Sequence, residues 1–292
     1  MKQARDRPAL LAAAAVGIQV GAATVASRYV IAETTPAALA LMRYVVGLLC
    51  LLPIALSIGR TRFARRDLAP IAILGTIQFG VLIALLNYGL QTIPAGRAAL
   101  ILATFPLLTM LFAAALGRES LTARKTIGVL VTILGVGLAL SEKLVTSAGA
   151  SSSWRGEAAV LAAAACGAIC SVLYRPYLQR YPALAVSTFA MLASVAALSV
   201  PAAFEGFFDH APIVSVLGWA AIIFIGVSSG VGYFLWLWAL ANTTPTRVTI
   251  FLSLSPLTAA LLGAAFLGEP LTPMFAAGLA AVAAGLWIGT RG

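Results

Sequence analysis

The hydrophobic positions of this chain fall in runs of about twenty residues, the length a helix needs to cross a bilayer, separated by short charged or Pro/Gly-bearing joints. Ten such runs are read: 8–31, 36–58, 68–90, 96–116, 123–141, 156–178, 183–204, 213–240, 246–267 and 271–288. The longest joints are a Ser-rich stretch from Glu142 to Arg155 and the segment from Glu205 to Pro212, too short to hide a soluble domain. The pattern therefore predicts an all-α membrane protein with ten transmembrane helices.

Composition excludes the soluble classes. Of 292 residues, 61% are hydrophobic and 10% charged, with a mean hydropathy of +1.01. A soluble domain carries about 45–50% apolar and about 25% charged residues, so this chain lacks the polar side chains to cover itself. Neither an enzyme nor a cofactor site is expected. Lys2, Arg5 and Arg7 ahead of the first run resemble a secretory leader, but that run is long and nine more follow, which favours a retained anchor.

The net charge of +10 would suggest a nucleic-acid partner in a soluble protein. Here the bases fall on one side. Threading ten spans puts 14 Lys and Arg on the side of the N-terminus and 4 opposite, with Arg43 left inside the second span. Basic residues collect in cytoplasmic loops, so both termini are expected in the cytoplasm of an inner-membrane protein, with no nucleic acid bound. Cys166 and Cys170 share a helix face but have no His or carboxylate nearby, so they read as small buried residues rather than a metal pair. His210 falls in an outer loop.

The chain also repeats itself. Residues 97–137 align without gaps on 247–287: Arg97 on Arg247, Pro106 on Pro256, Glu119-x-Leu121-Thr122 on Glu269-x-Leu271-Thr272, and Gly128 and Gly135 on Gly278 and Gly285. Earlier in each half the offset falls to 147, pairing Val25, Arg28 and Leu39 with Val172, Arg175 and Val186. Five spans per repeat is odd, so the second repeat must enter the membrane from the opposite side. Residues 1–145 and 155–292 are thus expected to form two inverted five-helix repeats around a central cavity, an arrangement of secondary transporters. Alternating access is the mechanism it implies.

The doubled pattern at Pro106–Gly135 and Pro256–Gly285, a Pro-Leu, a small-residue stretch, then a glycine one or two residues before Glu-x-Leu-Thr, and spaced glycines, resembles the EamA-type repeat of the drug/metabolite transporter superfamily. The resemblance spans nearly the whole chain and is similar to ten-helix exporters of amino acids, aromatic ones among them, and of other metabolites. It implies a 5+5 bundle with helices 1, 3, 4, 6, 8 and 9 near a small-molecule substrate. The early tryptophan common in these repeats is missing, and Gln19 stands in its neighbourhood.

Polar residues inside the spans supply the candidate binding groups, because a charge at mid-membrane costs about 2.5–3.5 kcal/mol on insertion scales. Arg43 offers a fork for a substrate carboxylate, or else snorkels outward. Gln19 and Gln78 lie deepest among the uncharged polar residues, with Asn87 and Tyr88 further along the third span. Tyr233, Trp236 and Trp238 in the eighth span offer stacking faces, although tryptophans near an interface also serve as belts; Tyr233 is placed deepest. Pro106 and Pro256, about ten residues into their spans, should break those helices near mid-membrane and expose backbone to substrate. Arg97 and Arg247 stand where the helix dipole disfavours cations and serve as gates or anchors.

No Asp or Glu lies well inside a span, which disfavours exchange of protons for cationic drugs. Nor is there a Walker lysine motif for ATP. An antiporter of sugar phosphates or nucleotide sugars would want several cavity cations, and Arg43 alone qualifies. A passive metabolite channel would need no two-state device. Small-residue pairs such as Gly17 with Gly21 allow close helix packing and are compatible with a homodimer.

Overall fold

The computed structural model describes residues 2–58, 61–118, 122–146, 154–209 and 212–290. Glu119, His210 and the Ser151–Ser153 loop lie outside them, as does the side chain of Arg247. Within this range the chain is helical, with no strand among the described residues. Seven helical stretches are long and apolar enough to cross a membrane: Pro8–Val30, Pro36–Ser57, Arg65–Leu90, Ala95–Ala115, Arg155–Leu173, Ala183–Phe204 and Val216–Asn242. The three remaining predicted spans contain shorter apolar helices, Thr126–Ala139, Leu254–Leu267 and Pro273–Gly285.

In chain order the helices are α1 (Lys2–Val30), α2 (Pro36–Ile58), α3 (Arg65–Gly75), α4 (Leu82–Leu90), α5 (Ala95–Leu102), α6 (Phe105–Ala115), α7 (Ala123–Thr146), α8 (Arg155–Leu173), α9 (Arg175–Leu178), α10 (Ala183–Phe204), α11 (Val216–Asn242), α12 (Pro245–Ile250), α13 (Leu254–Leu267) and α14 (Pro273–Thr290). Helices α1 and α2 pack on α11, α1 also on α13, α2 on α10, and α8 on α4 and α6. The α7–α14 pair adds to this core at its margin.

Four spans are interrupted, and proline explains three of the breaks. Pro106 has no N–H to offer the Leu102 carbonyl and would clash with it, so α5 ends at Leu102 and α6 restarts at Phe105 with Pro106 in its first turn. Across the gap the Ala103 N–H bonds to both Ala99 (3.0 Å) and Leu100 (3.1 Å) oxygens. Pro256 acts likewise, with a 3₁₀ turn at Phe251–Ser253 before α13. Pro176 divides α8 from α9 and frees the Val172 carbonyl, which accepts from Arg118 Nη1. The fourth interruption, a π-helical turn over Thr76–Val81 between α3 and α4, contains no proline. Such turns insert an extra residue into a helix and are frequent at functional sites.

Glycine lets the rods approach. A Cβ on Gly135 would sit 2.8 Å from the Gly278 oxygen, and one on Gly285 would sit 2.6 Å from the Gly128 oxygen, so α7 and α14 run antiparallel in backbone contact. At the face predicted to be outermost, carboxylates seat on the N-termini of helices from the other half. Glu205 accepts from the Ala37 and Ala38 amides at 2.9 and 3.1 Å, and Glu269 from Ala95 and Gly96 at 2.8 and 3.2 Å. Glu33 accepts from Ser215 N at 2.7 Å and Ser215 Oγ at 2.9 Å. Each satisfies amides that lack helical partners and meets the positive end of a dipole.

Candidate functional site

A cavity lies where the interrupted helices meet. Its wall is built from α1 (Val16, Gln19, Val20, Thr24), α2 (Arg43), the π-turn and α4 (Gln78, Leu82, Ile83, Leu86), the α5–α6 break (Leu102, Phe105), α11 (Gly232, Tyr233, Trp236) and the break before α13 (Leu252, Ser255). The lining is mostly apolar, with a few convergent polar groups, the usual character of a small-molecule site.

Arg43 is the charged group of that wall. It is 5% exposed, and its Nε donates to Ser229 Oγ at 2.6 Å, which fixes the guanidinium within the bundle instead of letting it snorkel. Among the described residues no carboxylate pairs with it. Gln19 donates through Nε2 to Ser228 Oγ at 3.0 Å, so two neighbouring serines of α11 hold the two long polar side chains of the first two spans. Gln78, 4% exposed and set in the π-turn, has an Oε1 with no protein partner, and so does the Oγ of buried Ser255. Aromatic rings complete the wall. Tyr233 packs edge-on to Phe79 at 4.2 Å between centroids and its hydroxyl accepts from that of Tyr44 at 3.3 Å, while Trp236 meets Phe105 edge-on at 6.0 Å.

The structure thus gathers Gln19, Arg43, Gln78, Tyr233 and Trp236 around one space. Four other expected residues stand outside its wall. Asn87 is fully buried, but its Nδ2 donates to the Pro36 carbonyl at 3.0 Å and ties α4 to the start of α2. Tyr88 is 42% exposed on the outside of the bundle, as its place one residue round the helix from Asn87 dictates. Pro106 and Pro256 are buried and act by breaking the helix; their neighbours Phe105 and Ser255 line the cavity in their stead. Arg97 forms an ion pair with Glu157 at 3.9 Å, linking α5 to α8. Thr24, Phe105 and Ser255 were not singled out as binding groups from sequence, yet a signal existed. Positions 105 and 255 are repeat counterparts, as are Leu102 and Leu252, and both members of each pair line the cavity.

Two segments, residues 7–141 and 154–290, each match the model of the EamA-like transporter family. The chain belongs to the EamA-like transporter family. Relatives agree over most of their length. A "probable terminal-alkyne amino-acid exporter" of Streptantibioticus cattleyicolor is 31% identical over 87% of this chain and 84% of its own. An uncharacterised transporter of Archaeoglobus fulgidus is 26% identical over 93% and 94%. A solved crystal structure at 19% identity superimposes with a TM-score of 0.74, covering 98% of this chain and 99% of the other, and so shares the fold of this EamA-like protein. The chain is therefore a multi-pass membrane transporter.

Proposed function

We propose that this protein is a secondary transporter that exports amino acids or closely related small metabolites across the inner membrane, holding them in the central cavity. The observation that carries the reading is Arg43: a buried guanidinium with no carboxylate partner among the described residues, lining a mostly apolar cavity. Such a charge is costly to bury alone and is relieved by an anionic ligand. The unpartnered Gln78 oxygen in the same wall suits an N–H donor, and the aromatic and aliphatic remainder suits an apolar side chain. A carboxylate, an ammonium and an apolar group together describe an amino acid. The relative from Streptantibioticus cattleyicolor supports this substrate class.

Alternating access between inverted repeats is part of the same proposal. The repeat pairs Gly128 with Gly278 and Gly135 with Gly285. The contacts observed join Gly135 to Gly278 and Gly285 to Gly128, and a two-fold rotation exchanges one for the other. Exposure supports it as well: from Gly21 to Tyr29 every residue shares its burial class with the residue 147 positions on, Ala168 to Pro176. On this reading the ten predicted spans cross the membrane and both termini are cytoplasmic, as the basic residues favour. Counterflow in proteoliposomes tests the function: preloaded unlabelled amino acid is expected to accelerate uptake of labelled amino acid. Flux that neither saturates nor responds to preloading would mark a pore, and saturable flux confined to sugar phosphates would overturn the substrate class.

A further inference from the structure

The cavity is not symmetric between the repeats. On the α1 side, Gln19, Val20 and Thr24 line it. Their counterparts at an offset of 147 are Cys166, Gly167 and Ser171 on α8, and none of these does. The backbone is not the cause, for Thr24 bonds back to the Val20 oxygen at 2.8 Å and Ser171 to the Gly167 oxygen at 2.9 Å, the same bond at matched positions. Side-chain size is the cause. Beside α1 the neighbouring helices present Gly232 and Ser255, and a Cβ on Gly232 would lie 2.6 Å from the Gln19 amide oxygen. Beside α8 the neighbouring helices present Leu82 and Phe105, the latter the repeat counterpart of Ser255, and the small residue is Gly167. A Cβ there would lie 2.7 Å from Leu82 Cδ1 and would collide with the Phe105 ring.

We propose that Phe105, seated on Gly167 and braced by Trp236, is the wall that closes the α8 half of the cavity and thereby sets the size of side chain the transporter accepts. Removing the ring opens a second lobe toward Cys166 and Ser171, and any side chain added at position 167 pushes the ring into the space substrate uses. The size argument rests on the cavity being the amino-acid site; the geometry of the wall does not.

The test uses the native thiol as reporter. In a Cys50→Ser, Cys170→Ser background, half-buried Cys166 sets a baseline rate of reaction with a charged, membrane-impermeant methanethiosulfonate in detergent. Adding Phe105→Ala, or the milder Phe105→Leu if the first misfolds, is expected to raise its reaction rate by about tenfold or more, because reaction requires a solvated thiolate. A further Cys166→Ser should abolish the gain. In proteoliposomes Phe105→Ala should move relative kcat/KM toward bulky over small amino acids by about 10-fold or more, the worth of a methylene or two in an apolar pocket. Gly167→Ala should move it the other way. A folded Phe105→Ala or Phe105→Leu protein whose Cys166 reacts no faster than the baseline overturns the wall. Increased labelling without transport of any amino acid leaves the wall standing and removes the amino-acid reading instead.

Discussion

Replacing Arg43 with methionine should separate function from stability in a direction few substitutions take. In the folded protein the substitution removes a side chain 5% exposed with no carboxylate partner among the described residues, together with its 2.6 Å bond to Ser229 Oγ. Ser229 loses little, since its hydroxyl also donates to the Ile225 carbonyl of its own helix. The bond is worth about 1.5–3 kcal/mol as one to a charged group. The Tyr44 ring, 5.7 Å from Arg43 Cζ, adds about 0.5–2 kcal/mol. The penalty for holding a charge without an anionic partner out of water is several kcal/mol, so methionine of similar length should leave the unliganded protein about as stable. Substrate binding should move oppositely. Truncating one member of a buried charge pair costs about 2–5 kcal/mol, hence a rise in KM of about 30-fold or more. Arg43→Lys should recover only part of it, because an ammonium cannot form the two parallel bonds of a guanidinium. The assays are initial-rate uptake in proteoliposomes and thermal unfolding of the detergent-solubilised protein followed by tryptophan fluorescence. An Arg43→Met protein with unchanged KM refutes the carboxylate anchor; one that unfolds well below wild type refutes the claim that the burial penalty offsets the Ser229 and Tyr44 contacts.

Three further outcomes follow from the packing. Gly278→Leu should destabilise the protein by about 1–3 kcal/mol through overpacking of α7 against α14, where a Cβ would lie 2.6 Å from the Gly135 oxygen, whereas Gly137→Leu, where a Cβ would meet nothing within 4 Å, should melt at or above wild type. Glu269→Ala should lower stability by about 0.5–2 kcal/mol, read in the same melt, since it strips the carboxylate from the Ala95 and Gly96 amides. Pro106→Ala should restore a partner for the Leu102 carbonyl, leave the melting temperature unchanged or raised, and slow turnover in counterflow if the broken helix is needed for the conformational step; unchanged turnover would make the break merely architectural.

Chemistry carried by single residues was legible in the sequence. Pro106 and Pro256 break their helices where expected, since a missing N–H acts locally whatever surrounds it. Arg43 is buried and tied down, as a charge deep in a span requires. Tyr88 and Asn87 show where the reading ran out: both are polar enough to suggest a wet cavity, yet 100° of helix rotation sends one to the surface and the other to a carbonyl of α2. Hydropathy fixes which stretches enter the membrane and carries almost no information on rotation about the helix axis, because lipid and packed neighbours are equally apolar. The resemblance also implied that helix 6 lies near the substrate; here α8 packs directly behind the wall residues Leu82 and Phe105 through Gly167, and α2 supplies Arg43.

Sequence by itself thus determined the class of protein, the helical stretches, the internal repeat and the positions of the proline breaks, each through properties of single residues or their spacing. Only the tertiary structure decided which polar groups converge, that Gln19 and Arg43 are held by Ser228 and Ser229, and that Phe105 and Leu82 fill on one side the space that Ser255 and Gly232 leave free on the other. The physical reason is that a cavity is what side chains from distant segments fail to fill, and that balance of volumes exists only once the helices are packed together.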